Sequence, residues 1–335
     1  MTPFIWKKKH LKQNLRISNI VKETINGSLK PKMPLSKLDF VIERSSIMVH
    51  FGRVSTAMVT PFDKKGHIDF QKTTQLVNYL IENGTDSLVV AGTTGESPTL
   101  SKEEKLALFA HVVKVVKKRI PVIAGTGSNN TYASVELTRK AEQLGVDGIM
   151  VVAPYYNKPN QEGLYQHFKT VADATSLPVM VYNIPGRASV NIHPDTIIRL
   201  SKVSNIVAVK EASGDLNAMT HIIANTESDF DLYSGDDGIA IPVLSIGGVG
   251  VVSVASHVIG NEMQEMVKAF LEGENVKAAK LHQQLLPLMQ GLFAAPSPAP
   301  VKTALQVKGL DVGSVRLPLV PLTEQERSTL TKLLL

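Results

Sequence analysis

Ile206-Val207-Ala208-Val209-Lys210-Glu211-Ala212-Ser213-Gly214 is the stretch that decides how this chain folds. Its opening is continuous, apolar and β-branched, which is the character of a strand buried on both faces. Seven further runs belong with it, at 54–59, 87–90, 121–124, 148–152, 178–182, 230–234 and 248–253. Buried parallel strands read as unbroken apolar segments, whereas half-exposed antiparallel strands alternate. Amphipathic stretches lie between the runs, for example at 70–82, 102–117 and 132–144. Ser101 with Glu104 three residues on is a capping-box helix start. Asn83-Gly84 and Leu144-Gly145 mark helix ends.

Eight βα units over about 200–250 residues predict an α/β fold, a (β/α)8 TIM barrel. An open doubly wound sheet is the alternative, and it carries a Gly-rich fingerprint after its first strand. Here Thr60-Pro61-Phe62-Asp63 follows that strand. Gly125-Thr126-Gly127 follows the third strand and lacks the third glycine of a dinucleotide loop. From 258 to about 293 the pattern is wholly helical. Ala295-Pro296-Ser297-Pro298-Ala299-Pro300 breaks it, and further helices are expected at 301–308 and 323–334. The predicted layout is a barrel over 48–273 with a C-terminal helical region over 274–335.

The chain has 335 residues, 43% of them hydrophobic, which is enough for a large core. It has no cysteine. A disulfide scaffold, a thiolate nucleophile and Cys-ligated zinc are therefore excluded, and a reducing, cytoplasmic setting is expected. No apolar run reaches the roughly 18 residues of a membrane span.

The net charge of +6 suggests nucleic acid at first sight. Its location says otherwise. Residues 1–47 carry ten Lys and Arg against three acids, and the remainder carries 26 against 27. The body is near neutral, which argues against a nucleic-acid partner. Lys7-Lys8-Lys9 is followed by no apolar core of a secretory signal, and the segment is richer in Lys than in the Arg and Ser of a transit peptide. Residues 1–47 are expected to be either a disordered extension or a stretch upstream of the true start. Translation is expected to begin at Met48, because Glu43-Arg44-Ser45 can be encoded by a ribosome-binding sequence.

Catalytic groups in a barrel sit where strands end. Those positions hold Gly92-Thr93-Thr94-Gly95-Glu96-Ser97, Pro154-Tyr155-Tyr156-Asn157, Tyr182-Asn183-Ile184-Pro185-Gly186-Arg187, Lys210-Glu211 and Gly235-Asp236-Asp237. Lys210 has two readings. It ends a strand and snorkels to water, or it is a desolvated amine whose lowered pKa suits Schiff-base chemistry. Backbone N–H groups and Thr hydroxyls in the glycine-rich turn suit a small carboxylate. No histidine pairs with a carboxylate at metal-ligand spacing, and Asp236-Asp237 reads more simply as a turn or a helix cap. No nucleophile elbow supports a Ser-His-Asp site.

These motifs together resemble the dihydrodipicolinate synthase family, within the pyruvate-dependent class I aldolases. The resemblance runs from about Phe51 to the C-terminus. It implies condensation of pyruvate with aspartate semialdehyde, without a cofactor or metal. It implies that Lys210 forms the imine and that Thr94 holds the pyruvate carboxylate. Tyr182 would carry the proton, with Thr93 and Tyr156 completing a relay in which Tyr156 comes from a neighbouring subunit. Arg187 would bind the semialdehyde carboxylate, and the backbone at Gly235 and Val252 would line the pyruvate pocket. A homotetramer is implied, or a dimer as in some relatives. N-acetylneuraminate lyase and 2-keto-3-deoxy sugar acid aldolase share the imine lysine but take a long polyol. A non-catalytic barrel is the rival from another class. Lysine-inhibited relatives carry two histidines and a glutamate where this chain has Lys102, Lys105 and Ala133, so weak or absent inhibition by lysine is expected.

Overall fold

The computed structural model describes residues 50–334. The expectations for residues 1–47 and for a start at Met48 lie outside the described residues. Eight parallel strands close into a barrel: β1 (Val54–Ala57), β2 (Ser87–Val90), β3 (Val122–Gly125), β4 (Gly148–Val152), β5 (Val179–Asn183), β6 (Ile206–Glu211), β7 (Asp231–Ser234) and β8 (Gly250–Ser253). Each pairs with the next, and β8 closes on β1 with Val252 beside Ser55.

The apolar runs form these strands because both faces are covered. Val89, Ile123, Met150, Met180, Ala208, Tyr233 and Val252 fill the barrel interior. Leu88, Val122, Ile149, Val181, Val209 and Leu232 face the surrounding helices. Each such side chain contributes about 1.5–3 kcal/mol on burial. Alternation along β6 then fixes the outcome for Lys210. It shares the interior side with Ala208, while Val209 turns to the helices.

The helices are α1 (Phe70–Glu82), α2 (Lys102–Val116), α3 (Thr131–Gln143), α4 (Gln161–Ala172), α5 (Pro185–Ala188), α6 (Pro194–Leu200), α7 (Leu216–Ala224), α8 (Ala240–Ser245), α9 (Ser256–Leu271), α10 (Asn275–Gly291), α11 (Ala299–Val307) and α12 (Glu324–Leu334). The capping box of α2 is present. Glu104 N–H donates to Ser101 Oγ at 3.1 Å, and Ser101 N–H donates to Glu104 Oε2 at 2.9 Å. The stretch expected to be helical throughout from 258 to about 293 is instead two helices. Gly273, at φ +83°, ends α9 in the left-handed conformation that favours glycine. The glycines at the end of β3 have a packing explanation. A Cβ on Gly127 would lie 2.4 Å from the Val152 backbone nitrogen. Among the described residues, no helix is long and apolar enough to cross a membrane.

Candidate active site

The mouth at the carboxyl ends of the strands holds a cavity of about 230 Å³, lined by Gly92, Thr93, Tyr155, Tyr182 and Arg187 among others. Three strand ends and the short helix α5 supply these groups.

Lys210 is 5% exposed. Its register partners are Tyr182 on β5 and Tyr233 on β7, and its Nζ lies 4.3 Å from the centre of the Tyr182 ring. Burial lowers the amine pKa to about 8; the charge of Arg187 acts the same way, while that of Asp237 opposes it. A ring face and a low-dielectric wall thus replace the water that an ammonium needs.

Tyr182 is buried, and burial pushes its phenol up to about 12. A hydrogen bond with Thr93 and the charge of Arg187 pull in the other direction. A phenol so placed stays protonated at neutral pH, which suits it to donate a proton and to recover one through a hydroxyl partner.

The turn after β2 presents Thr93, which is half-buried, and Thr94, which is buried. Glu96 N–H donates to the Thr93 carbonyl at 3.0 Å, and Ser97 N–H donates to the Gly92 carbonyl at 3.2 Å. Thr60 Oγ1 donates to the Gly95 carbonyl at 2.7 Å. Gly235 backs Lys210 closely: a Cβ there would meet Ala212 Cβ at 2.6 Å and Lys210 Cε at 3.1 Å. Val252 is buried in the interior layer with Tyr182. Arg187 is exposed at the rim, where a guanidinium remains free to meet a carboxylate in two-pronged fashion.

The structure therefore gathers Tyr182, Thr93 and Arg187 around one cavity, which Thr94, Lys210 and Val252 do not line; Lys210 lies behind it against the Tyr182 ring, with Gly235 at its back. The structure does not bring Tyr156 to the cavity of its own chain. Tyr156 is 88% exposed and holds a left-handed backbone at φ +75°. A non-glycine residue in that conformation carries strain that is common at functional sites.

Two supports hold the site, one of which escaped sequence reasoning while the other forms the cap expected of Asp236-Asp237. Glu211, beside the lysine on β6, is buried and accepts from Asn183 Nδ2 at 2.9 Å and from Ser213 N–H at 2.7 Å. Asn183 Oδ1 accepts from Ile192 N–H at 3.1 Å, so the segment carrying Arg187 is tied to the strand carrying Lys210. Burial raises the Glu211 carboxyl pKa. Asp237 is the second support. Its Oδ2 accepts from the N–H groups of Val254 and Ala255 at 3.0 and 2.9 Å, which caps the chain leaving β8. Asp236 caps its own turn, accepting from Gly238 N–H at 2.8 Å. Among the described residues, no group of His, Asp and Glu side chains could hold a metal ion.

The sequence model of the dihydrodipicolinate synthetase family matches residues 50–335. The chain belongs to this family. It is 65% identical over 284 residues to the 4-hydroxy-tetrahydrodipicolinate synthase of Bacillus subtilis (strain 168), an alignment covering 84% of this chain and 98% of that protein. The crystal structure of dihydrodipicolinate synthase DapA-2 from Bacillus anthracis is 65% identical. It superposes with a TM-score of 0.84 and covers 86% of this chain and 98% of that one. The family member from Cyanidioschyzon merolae, crystallised with lysine bound, is 46% identical with a TM-score of 0.84 over 85% of this chain and 98% of that one.

Proposed function

We infer that this chain acts as a 4-hydroxy-tetrahydrodipicolinate synthase, condensing pyruvate with aspartate semialdehyde at Lys210. The observation that carries the mechanism is the buried amine, with a pKa near 8, held against the Tyr182 ring at the barrel mouth.

The neutral amine adds to the keto carbon of pyruvate, and loss of water leaves the imine. Thr94 and the turn around it hold the pyruvate carboxylate. The imine withdraws electrons from the adjacent methyl group, which releases a proton to become an enamine. The enamine carbon then attacks the aldehyde, and the new alkoxide takes a proton. Tyr182 moves these protons, with Thr93 as its hydrogen-bonded partner. The semialdehyde's own amine finally displaces Lys210 from the former keto carbon, which closes the ring and frees the enzyme. Arg187 at the rim holds the semialdehyde carboxylate, and the backbone at Gly235 and Val252 completes the pyruvate pocket.

The cavity, at about 230 Å³, falls below the range of about 300–1,000 Å³ usual for larger ligands. That size favours two short acids over the long polyol of a sugar-acid aldolase. Incubation with pyruvate and borohydride tests the reading. A reduced adduct should appear on Lys210 and vanish in Lys210→Ala. An adduct that survives that substitution, or cleavage of sialic acid in place of semialdehyde consumption, would overturn it.

We further propose that the enzyme works in the cytoplasm as a homo-oligomer, a homotetramer or a dimer, in which Tyr156 completes the relay of a partner subunit. Its near-complete exposure in one chain supports this. Mixing inactive Lys210→Ala and Tyr156→Phe proteins should then regenerate activity, since each mixed pair holds one intact site. Absence of any recovery would remove the shared-site proposal.

A further inference from the structure

Glu96 belongs to the glycine–threonine turn, yet it does not line the cavity. Its backbone is left-handed, at φ 59°, and its side chain is buried. The carboxylate lies 2.6 Å from Lys302 Nζ on α11, with the two side chains 1% and 2% exposed. Its other oxygen accepts from Arg316 N–H at 2.8 Å. Lys302 also donates to the Ser314 carbonyl at 2.7 Å and sits 4.2 Å from the Phe62 ring centre. The Arg316 guanidinium lies 4.3 Å from the same ring and donates to the carbonyls of Gly66 and Thr99.

A fully buried ion pair stabilises a fold poorly compared with apolar side chains of the same size. What it supplies here is a fixed geometry. Glu96 is held by one cation and one backbone N–H, both from the C-terminal region. Its own N–H binds the Thr93 carbonyl. One backbone hydrogen bond thus ties Thr93, which lines the cavity, to the residue whose desolvated carboxylate is anchored from the C-terminal region.

We propose that Glu96 and Lys302 are positioning residues for the pyruvate-binding turn, their ion pair holding Thr93 and Thr94 in place opposite Lys210. The C-terminal helical region is then a working part of the barrel mouth. This rests on the imine reading of Lys210.

The measurement is the pyruvate concentration that half-saturates reductive trapping on Lys210, followed by mass spectrometry beside the thermal midpoint. Lys302→Met strands a buried carboxylate and lowers the midpoint while raising half-saturating pyruvate. Glu96→Gln/Lys302→Met removes both charges and keeps an acceptor for Arg316 N–H. Its midpoint recovers toward wild type. Its half-saturating pyruvate stays about tenfold high, part of the hundredfold that a misplacement of about 1 Å can cost. Glu96→Gln alone strands the buried Lys302 ammonium, so it too lowers the midpoint while raising half-saturating pyruvate. A double variant that recovers its midpoint and binds pyruvate within about twofold of wild type would overturn the proposal. So would a Lys302→Met protein that loses stability alone. If wild-type protein gains no adduct, the imine reading falls instead.

Discussion

Lowering the pH from 8 to 6 should slow imine formation steeply, and the size follows from the burial of one amine. Lys210 has a pKa near 8 against 10.5 for an ordinary lysine. At pH 7 about a tenth of such a residue is neutral, compared with roughly one part in 3,000 for the ordinary one, a gain of about 300-fold in nucleophile. The same difference corresponds to about 3 kcal/mol of lost ammonium solvation. The sign is fixed by the chemistry. The neutral form reacts, so the rate rises with pH through 8 and levels above it. Between pH 8 and pH 6 the neutral fraction drops from about one half to about 1%, which predicts a fall of roughly 50-fold. Rapid mixing with pyruvate, quenching with cyanoborohydride and counting adducts by mass spectrometry measures this directly. Asp237→Asn adds a second arm. The carboxylate raises the amine's pKa, so neutralising it should move the profile to lower pH, while asparagine still accepts from Val254 and Ala255. A rate independent of pH between 6 and 8, a midpoint near 10.5, or a basic shift in Asp237→Asn would refute the reasoning.

Tyr182→Phe should lower turnover by about 10²–10⁴ while still allowing an adduct on Lys210, because it removes proton transfer and keeps the ring against the amine; steady-state rates beside trapping decide this. Arg187→Lys should reduce kcat/KM for aspartate semialdehyde by about 10–100-fold, the loss of one charge-assisted pair of about 1.5–3 kcal/mol, and leave pyruvate trapping unchanged. Sub-millimolar L-lysine should leave turnover unaffected. The resemblance to lysine-inhibited relatives implies an effector site at Lys102, 3.1 Å from Glu136, and Lys105, whose pKa burial lowers, and lysines in place of histidines there disfavour a cationic effector. Inhibition in that range would show that the site tolerates them.

The strands were readable because burying an apolar side chain is favourable whatever its neighbour is. Residue type alone therefore carries the signal. Two of the predicted strands, at 87–90 and 148–152, match β2 and β4 at both ends. Helix ends were less legible. α2 stops at Val116 because Lys117 takes a left-handed backbone at φ 51°, a conformation that nothing in a lysine announces. The break at Gly273 was written in the sequence, but an apolar pattern running through it concealed it.

Polar groups obey a different rule, since a buried charge is acceptable only where its partner is. Lys210 was legible because β6 gives a lysine at its end a known direction. Lys302 was not. It sits in Ala299-Pro300-Val301-Lys302-Thr303-Ala304-Leu305, where every residue is buried, so no polar face marks it. Its partner Glu96 lies on the other side of the barrel sequence, and the pairing of Asn183 with Glu211 is hidden in the same way. Tyr156 is the intermediate case. Its relay role came from the resemblance to the family, and in this chain its side chain is 88% exposed and does not line the cavity. The groups that a single strand end can aim were therefore readable, and those that must meet a partner from a distant segment were not. A barrel whose mouth is clamped from behind by its C-terminal helices follows from the second kind.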